Sequence, residues 1–266
     1  MNERSRVGWG VTAVAMFLVA AFAQAAVGAS VDFETGEGYS TGNLFDQPTS
    51  GNQWSGDDSS KIAVTSAQSQ SGSQSILLDP GLTSGSDGNE LNIGSTPTQF
   101  SLKFYWRPSG TTSGSASIYL AQFAGNSTNF AGPRIQFVAS GSVYQIKSVE
   151  NGFVQNIKLG MSPGIYADQW WEVEILGDLS TRTFDFYLDG TLEASDMGFR
   201  NTITNLATSL NYLGVEVSNT GASDHYFDDF QITSNAPAVP TLSAWGILAL
   251  LALLAAGSRA WLRRAA

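Results

Sequence analysis

Between residues 30 and 234 apolar and polar side chains alternate at every second position in short runs, the signature of strands with one buried face. In Phe100-Ser101-Leu102-Lys103-Phe104-Tyr105-Trp106-Arg107 the even positions carry only large apolar groups, and the odd positions carry Ser, Lys, Tyr and Arg. One face of this strand enters a core and the other meets water. Trp171-Glu172-Val173-Glu174-Ile175 repeats the pattern, which assigns Trp171 to the core and leaves Trp170 outside it. Thr183-Phe184-Asp185-Phe186-Tyr187-Leu188 repeats it again and runs into Asp189-Gly190, a pair that favours a tight hairpin.

Further strands are predicted over Val31 to Glu34, Lys61 to Thr65, Ser75 to Leu78, Glu90 to Ile93, Ser117 to Phe123, Arg134 to Val138, Val143 to Val149, Tyr212 to Val217 and Tyr226 to Thr233. Helical periodicity is confined to the two ends of the chain. Many short strands separated by Gly, Ser and Asn predict an all-β fold, a two-sheet antiparallel sandwich of jelly-roll type, in one domain over 26–236.

The ends read differently. Arg4 and Arg6 precede an apolar run from Val11 to Ala23, and Ala23-Gln24-Ala25 has the small-x-small pattern of a cleavage site, so 1–25 reads as a removable signal helix. At the other end, Val239-Pro240-Thr241-Leu242-Ser243-Ala244-Trp245-Gly246 leads into ten apolar residues, Ile247 to Ala256, and then Arg259, Arg263 and Arg264. Residues 245–257 as a helix reach about 20 Å, short of a hydrocarbon core of about 30 Å, so spanning requires Leu242 to Leu262 with Arg259 snorkelling. The arginines belong on the cytoplasmic side, which puts the body outside.

This tail resembles the IPTL-type C-terminal sorting domain of bacterial envelope proteins, in Val239, Pro240, Thr241, Leu242, Ser243, Trp245 and Gly246; Val239 and Ala244 stand where Ile and Glu are commoner. The resemblance implies membrane retention over 237–266, followed by handling by sorting or processing machinery. The expected location is the cell envelope or surface.

Charge narrows the partners. Of 13 Lys and Arg, five lie in the two end segments, and of 23 Asp and Glu only Glu3 does, so the body carries eight cations against 22 acids. Nucleic acid is excluded as a partner, because phosphate binding needs a basic stripe. The absence of cysteine removes disulfides, thiolate zinc sites and thiol nucleophiles.

Val31-Asp32-Phe33-Glu34, the run from Trp171 through Gly190, and Tyr226-Phe227-Asp228-Asp229-Phe230 together resemble the concanavalin A-like lectin/glucanase superfamily, its laminin G-type members above all. That superfold hosts lectins, glycosidases, lyases and adhesion modules, so the resemblance implies a fold more than an activity. Jelly-roll carbohydrate-binding modules that open on Phe-Glu and close on aromatic-Asp-Asp share a structural Ca²⁺ between first and last strands. The likeness implies such a site at Asp32, Glu34, Asp228 and Asp229, with Asp228 pointing inward beside Tyr226, Phe230 and Ile232.

Glu172 and Glu174 share one strand face about 7 Å apart. Laminarinase-type hydrolases carry Glu-x-Asp-x-x-Glu; here the second acid is Glu and the third position is Gly177, so the pair reads as an acidic solvent face. The one histidine, His225, has no Gly-x-Ser-x-Gly elbow to serve, and reads as a surface or packing residue in the turn entering the last strand. Trp54, Tyr105, Trp170 and Tyr119 fall out of phase with a core or in loops and are the candidate platforms for a sugar ring. The expectation is a non-catalytic surface module that binds polysaccharide or mediates adhesion. The alternatives are a carbohydrate-active hydrolase or lyase, and a structural matrix component.

Overall fold

A computed structural model describes residues 28–48, 52–79, 86–110, 113–125, 131–201, 206–218 and 223–234, all within one compact unit, Ala26–Ala236. The signal segment 1–25 and the sorting motif from Val239 to Gly246 lie outside the described residues. Among the described residues no helix is long and apolar enough to cross a membrane.

In chain order the strands are β1 (Ala29–Val31), β2 (Gly42–Asn43), β3 (Ser55–Gly56), β4 (Ile62–Thr65), β5 (Ser75–Leu78), β6 (Ser86–Asn92), β7 (Gln99–Ser109), β8 (Gly114–Ala121) and β9 (Ala131–Ser140). They continue with β10 (Val143–Glu150), β11 (Phe153–Met161), the one-turn helix α1 (Pro163–Tyr166), β12 (Trp171–Asp178), β13 (Thr183–Leu188), β14 (Thr191–Gly198), β15 (Tyr212–Ser218) and β16 (Asp224–Ser234). Among the described residues nine strands form one sheet in the order β14-β13-β12-β7-β16-β5-β4-β2, with β1 also on β16; seven form the other, β11-β10-β9-β8-β15-β6-β3. Each pairing whose register is given is antiparallel, and the result is a two-sheet sandwich.

The alternation in β7 and β12 is realised as read: Phe100, Leu102, Phe104 and Trp106 are buried, and so are Val173 and Ile175 across from them. Between the sheets, rings interlock. Trp106 and Phe137 lie 4.7 Å apart, Phe104 and Phe230 5.1 Å, Phe137 and Phe227 5.3 Å. The Asp189-Gly190 turn joins β13 to β14 with both residues at positive φ, 46° and 70°, as a type I′ hairpin demands.

Three phase readings need correction. Trp171 pairs with Trp106 but sits at the start of β12, where its ring leans on Tyr166 at 4.6 Å and remains half-buried. The first strand ends at Val31, not Glu34: Phe33 takes a left-handed φ of 59° and turns its ring fully into the core, so Asp32 and Glu34 do not share a strand face. In β16, Asp228 faces Tyr105 and Gln231 faces Lys103, which leaves both Asp229 and Phe230 opposite Phe104. This bulge, with Asp229 at φ 52°, resets the phase so that Phe227, Phe230 and Ile232 all enter the core, while Asp228 turns to the outer face.

Candidate functional site

The outer face of the seven-stranded sheet carries the candidate site. In β6, β8 and β15 the core takes Leu91, Ile118, Leu120, Leu213 and Val215. Strand phase therefore sends Glu90, Ser117, Tyr119 and Glu216 outward. Register sets Tyr119, Gly214 and Glu90 in one row and Ser117, Glu216 and Gly88 in the next. Gly214 is a slot: a Cβ there would lie 2.1 Å from Cζ of Tyr119, so only its absence lets the phenol lie across β15 toward Glu90.

That phenol donates to Glu90 Oε1 at 2.7 Å, and the Gly125 amide donates to Glu90 Oε2. Burial, and then the neighbouring Glu90, push the Tyr119 pKa far up, so the ring stays a donor. Arg134 enters from β9, donates to Glu216 Oε1 at 2.7 Å, and lies 5.8 Å from the Tyr119 ring centre. Burial, and then the charge of Arg134, lower the Arg200 pKa, which places a second guanidinium near the group. The Ser117 hydroxyl, opposite Glu216, is buried with no partner among the described residues.

Above this network opens a cleft of about 520 Å³ whose lining includes Asp57, Asp87, Glu90, Tyr119, Gly125 and Glu216. Asp57 Oδ2 accepts from the Gly88 amide, and Asp87 Oδ2 from Ser59 Oγ, with Lys61 Nζ 3.3 Å away. A carboxylate oxygen has two acceptor sites, so these acids, although held, keep capacity for further hydroxyl donors. The cleft is acceptor-rich and acidic, which suits a polyol and disfavours an anion.

The residues singled out in the sequence are scattered. Trp54 is fully enclosed, its indole donating to the Tyr39 hydroxyl at 3.0 Å, and a ring with no exposed face is no sugar platform. Tyr119 is enclosed likewise. Tyr105 is half-buried on the outer face of the nine-stranded sheet, 3.4 Å from Glu172, and Trp170 is half-buried in the turn before β12; neither lines the cleft. Glu172 and Glu174 form ion pairs with Lys103 at 3.7 and 3.4 Å. His225 lies inside β16, wholly buried, with Nδ1 accepting from Trp106 Nε1 at 3.2 Å and its pKa lowered by burial to about 3.

The four acids assigned to calcium are each held by donors of the protein itself. Asp228 accepts from the Gln70, Ser71 and Asp229 amides. Glu34 accepts from the Ser73 and Gln74 amides and Ser73 Oγ, Asp32 caps the Glu34 amide, and Asp229 accepts from Ser71 Oγ. Calcium wants six to eight oxygens, and among the described residues no three His, Cys, Asp or Glu side chains converge as a metal site.

Sequence reasoning missed the cleft because its residues come from four distant segments. The available signal was Glu216, the one charged residue in the otherwise largely apolar run Leu213 to Val217.

No protein-family model and no curated protein matches the sequence. Among solved structures, the chain is similar to the T. cruzi calreticulin globular domain, at 12% identity over 79% of this chain and 88% of that one, TM-score 0.52. It is similar to a sialidase at 12% identity over 74% of this chain but only 18% of that one, TM-score 0.51. A Bacillus licheniformis beta-glucanase follows at 15% identity, 73% and 97% coverage, TM-score 0.45. The first two likenesses establish the sandwich fold and nothing about individual site residues.

Proposed function

We propose that this chain is an exported, envelope-anchored, non-catalytic module whose concanavalin A-like jelly roll binds a neutral glycan in the cleft over β6, β8 and β15. The observation that carries the reading is the built polar floor: Glu90, Tyr119, Arg134 and Glu216 are locked together under a cleft that offers acceptors to sugar hydroxyls. Among the described residues no exposed aromatic ring lines it, so recognition rests on hydrogen bonds. Its acids repel uronate and sulfated chains. Similarity in fold to a sialidase supports the reading at the level of fold only.

Affinity electrophoresis against neutral and anionic polysaccharides tests it. Retardation by a neutral chain without released sugar is expected, weakened about ten-fold or more in Asp57→Asn or Glu216→Gln, a loss on the scale of one charged hydrogen bond. Release of reducing ends or unsaturated product favours the enzyme reading; no retardation by any chain overturns glycan binding. The IPTL-like tail and the signal segment support retention with the sandwich outside the cytoplasm. Protease added to intact spheroplasts should then digest the sandwich, and a protected sandwich overturns that placement.

A further inference from the structure

We infer that the junction of the first and last strands is closed by the β4–β5 loop acting as a clasp of backbone amides, in the place where the sequence likeness puts calcium, and that the fold needs no metal there. The loop runs from Ser66 to Gln74 between paired Thr65 and Ser75. Its neck is tied by Ser75 Oγ donating to Gln68 O at 2.7 Å. From there it reaches two acids that belong to opposite ends of the chain.

On β16, Asp228 Oδ2 receives the Gln70 amide at 2.8 Å and the Ser71 amide at 3.4 Å, while Ser71 Oγ donates to Asp229 Oδ1 at 2.7 Å. Beyond β1, Glu34 Oε1 receives the Ser73 and Gln74 amides at 2.7 and 2.8 Å, and Oε2 receives Ser73 Oγ at 2.8 Å. Two acids that could have shared a cation are satisfied instead by donors from one loop. Asp228 is wholly buried beneath it. A buried carboxylate without donors would be strongly unfavourable, so the amides stand in for the charge a metal would bring.

The loop is rich in serine, but only one position is stereochemically fixed. Gly72 has φ +56°, and a Cβ there would lie 2.3 Å from Glu34 Oε1 and 2.4 Å from Cδ. Alanine at this position must expel the carboxylate from the clasp.

Deuterium exchange on the full-length chain in mild detergent, with EDTA or with millimolar calcium, reads the clasp directly. The Gln70, Ser71, Ser73 and Gln74 amides should be protected in EDTA and no better protected in calcium, and Tm should not move between the two. Gly72→Ala should remove protection from these amides while β7 and β12 stay protected. Open-chain exchange of the four amides in EDTA overturns the inference. So does a calcium-dependent Tm rise of about 5–10 °C, the size expected of a well-filled site in a domain of this length, that Asp228→Asn abolishes. Calcium dependence of glycan retardation alone would bear on the cleft and leave the exchange result to decide the clasp.

Discussion

On the outer face of the nine-stranded sheet, Lys103 reaches Glu172 and Glu174 across 3.7 and 3.4 Å, with the three side chains 22–40% exposed. On the outer face of the seven-stranded sheet, Arg134 reaches Glu216 across 2.7 Å with side chains 9% and 15% exposed, and Glu90 beside them is 6% exposed. Both faces follow the same alternation of apolar and polar positions, and both oppose a cation to carboxylates. What differs is water. The first set keeps part of its hydration and holds little energy; the second has surrendered nearly all of it and depends on mutual geometry.

The largest test of that contrast is Arg134→Ala, which strands Glu216 in a dry setting and should destabilise the domain by about 3–5 kcal/mol in urea denaturation. A loss under about 1 kcal/mol would mean that the two faces are equivalent.

Asp228 sharpens the comparison, because it lies on the outer face of the nine-stranded sheet yet is wholly buried under the β4–β5 loop. Burial, opposed by the Gln70 amide and reinforced by the Asp229 charge, raises its pKa from 3.8 to about 7. The folded state therefore holds the proton more tightly than the unfolded state. This contribution is fully present below pH 3.8, declines as pH rises toward about 7, and is gone above it, an effect of about 2–4 kcal/mol. His225 runs the other way: lowered by burial to about 3, it withdraws stability as pH falls from 6.5. The difference in stability between wild type and Asp228→Asn, measured from pH 4 to 8, cancels the histidine and should fall with pH. A flat difference would show that Asp228 titrates as an exposed acid. The smallest effect belongs to Lys103→Ala, below about 1 kcal/mol and erased by high salt.

Strand phase was legible in most strands that have neighbours on both sides and no bulge. Ser75–Leu78 and Thr183–Leu188 match the sequence reading residue for residue, and β7, β12 and β15 differ only at their ends. The edge strands β11 and β14 were not found. β11 leaves Phe153, Val154 and Leu159 half or more exposed, both edges carry register shifts, and a strand that buries neither face has no alternation to show. The bulge at Asp229 was equally hidden, since one inserted residue reverses every face assignment on the near side of it. In the candidate site, polarity was legible and proximity was not: nothing local brings Asp57, Glu90, Tyr119 and Glu216 together, only the order in which β3, β6, β15 and β8 stand in the sheet.

That order also sets a timetable. β16 lies in the middle of its sheet, with β7 on one side and both β5 and β1 on the other, yet among the described strands it is the last a ribosome makes. Until it emerges, the pieces made first and those made midway present open edges to each other with nothing between them, and the loop over Asp228 has nothing to close on. Closure of this sheet must wait for β16, as long-range β topologies wait for their distant partners in general. A sandwich that cannot close before β16 is made stays threadable until then, the condition that passage through a translocation pore requires.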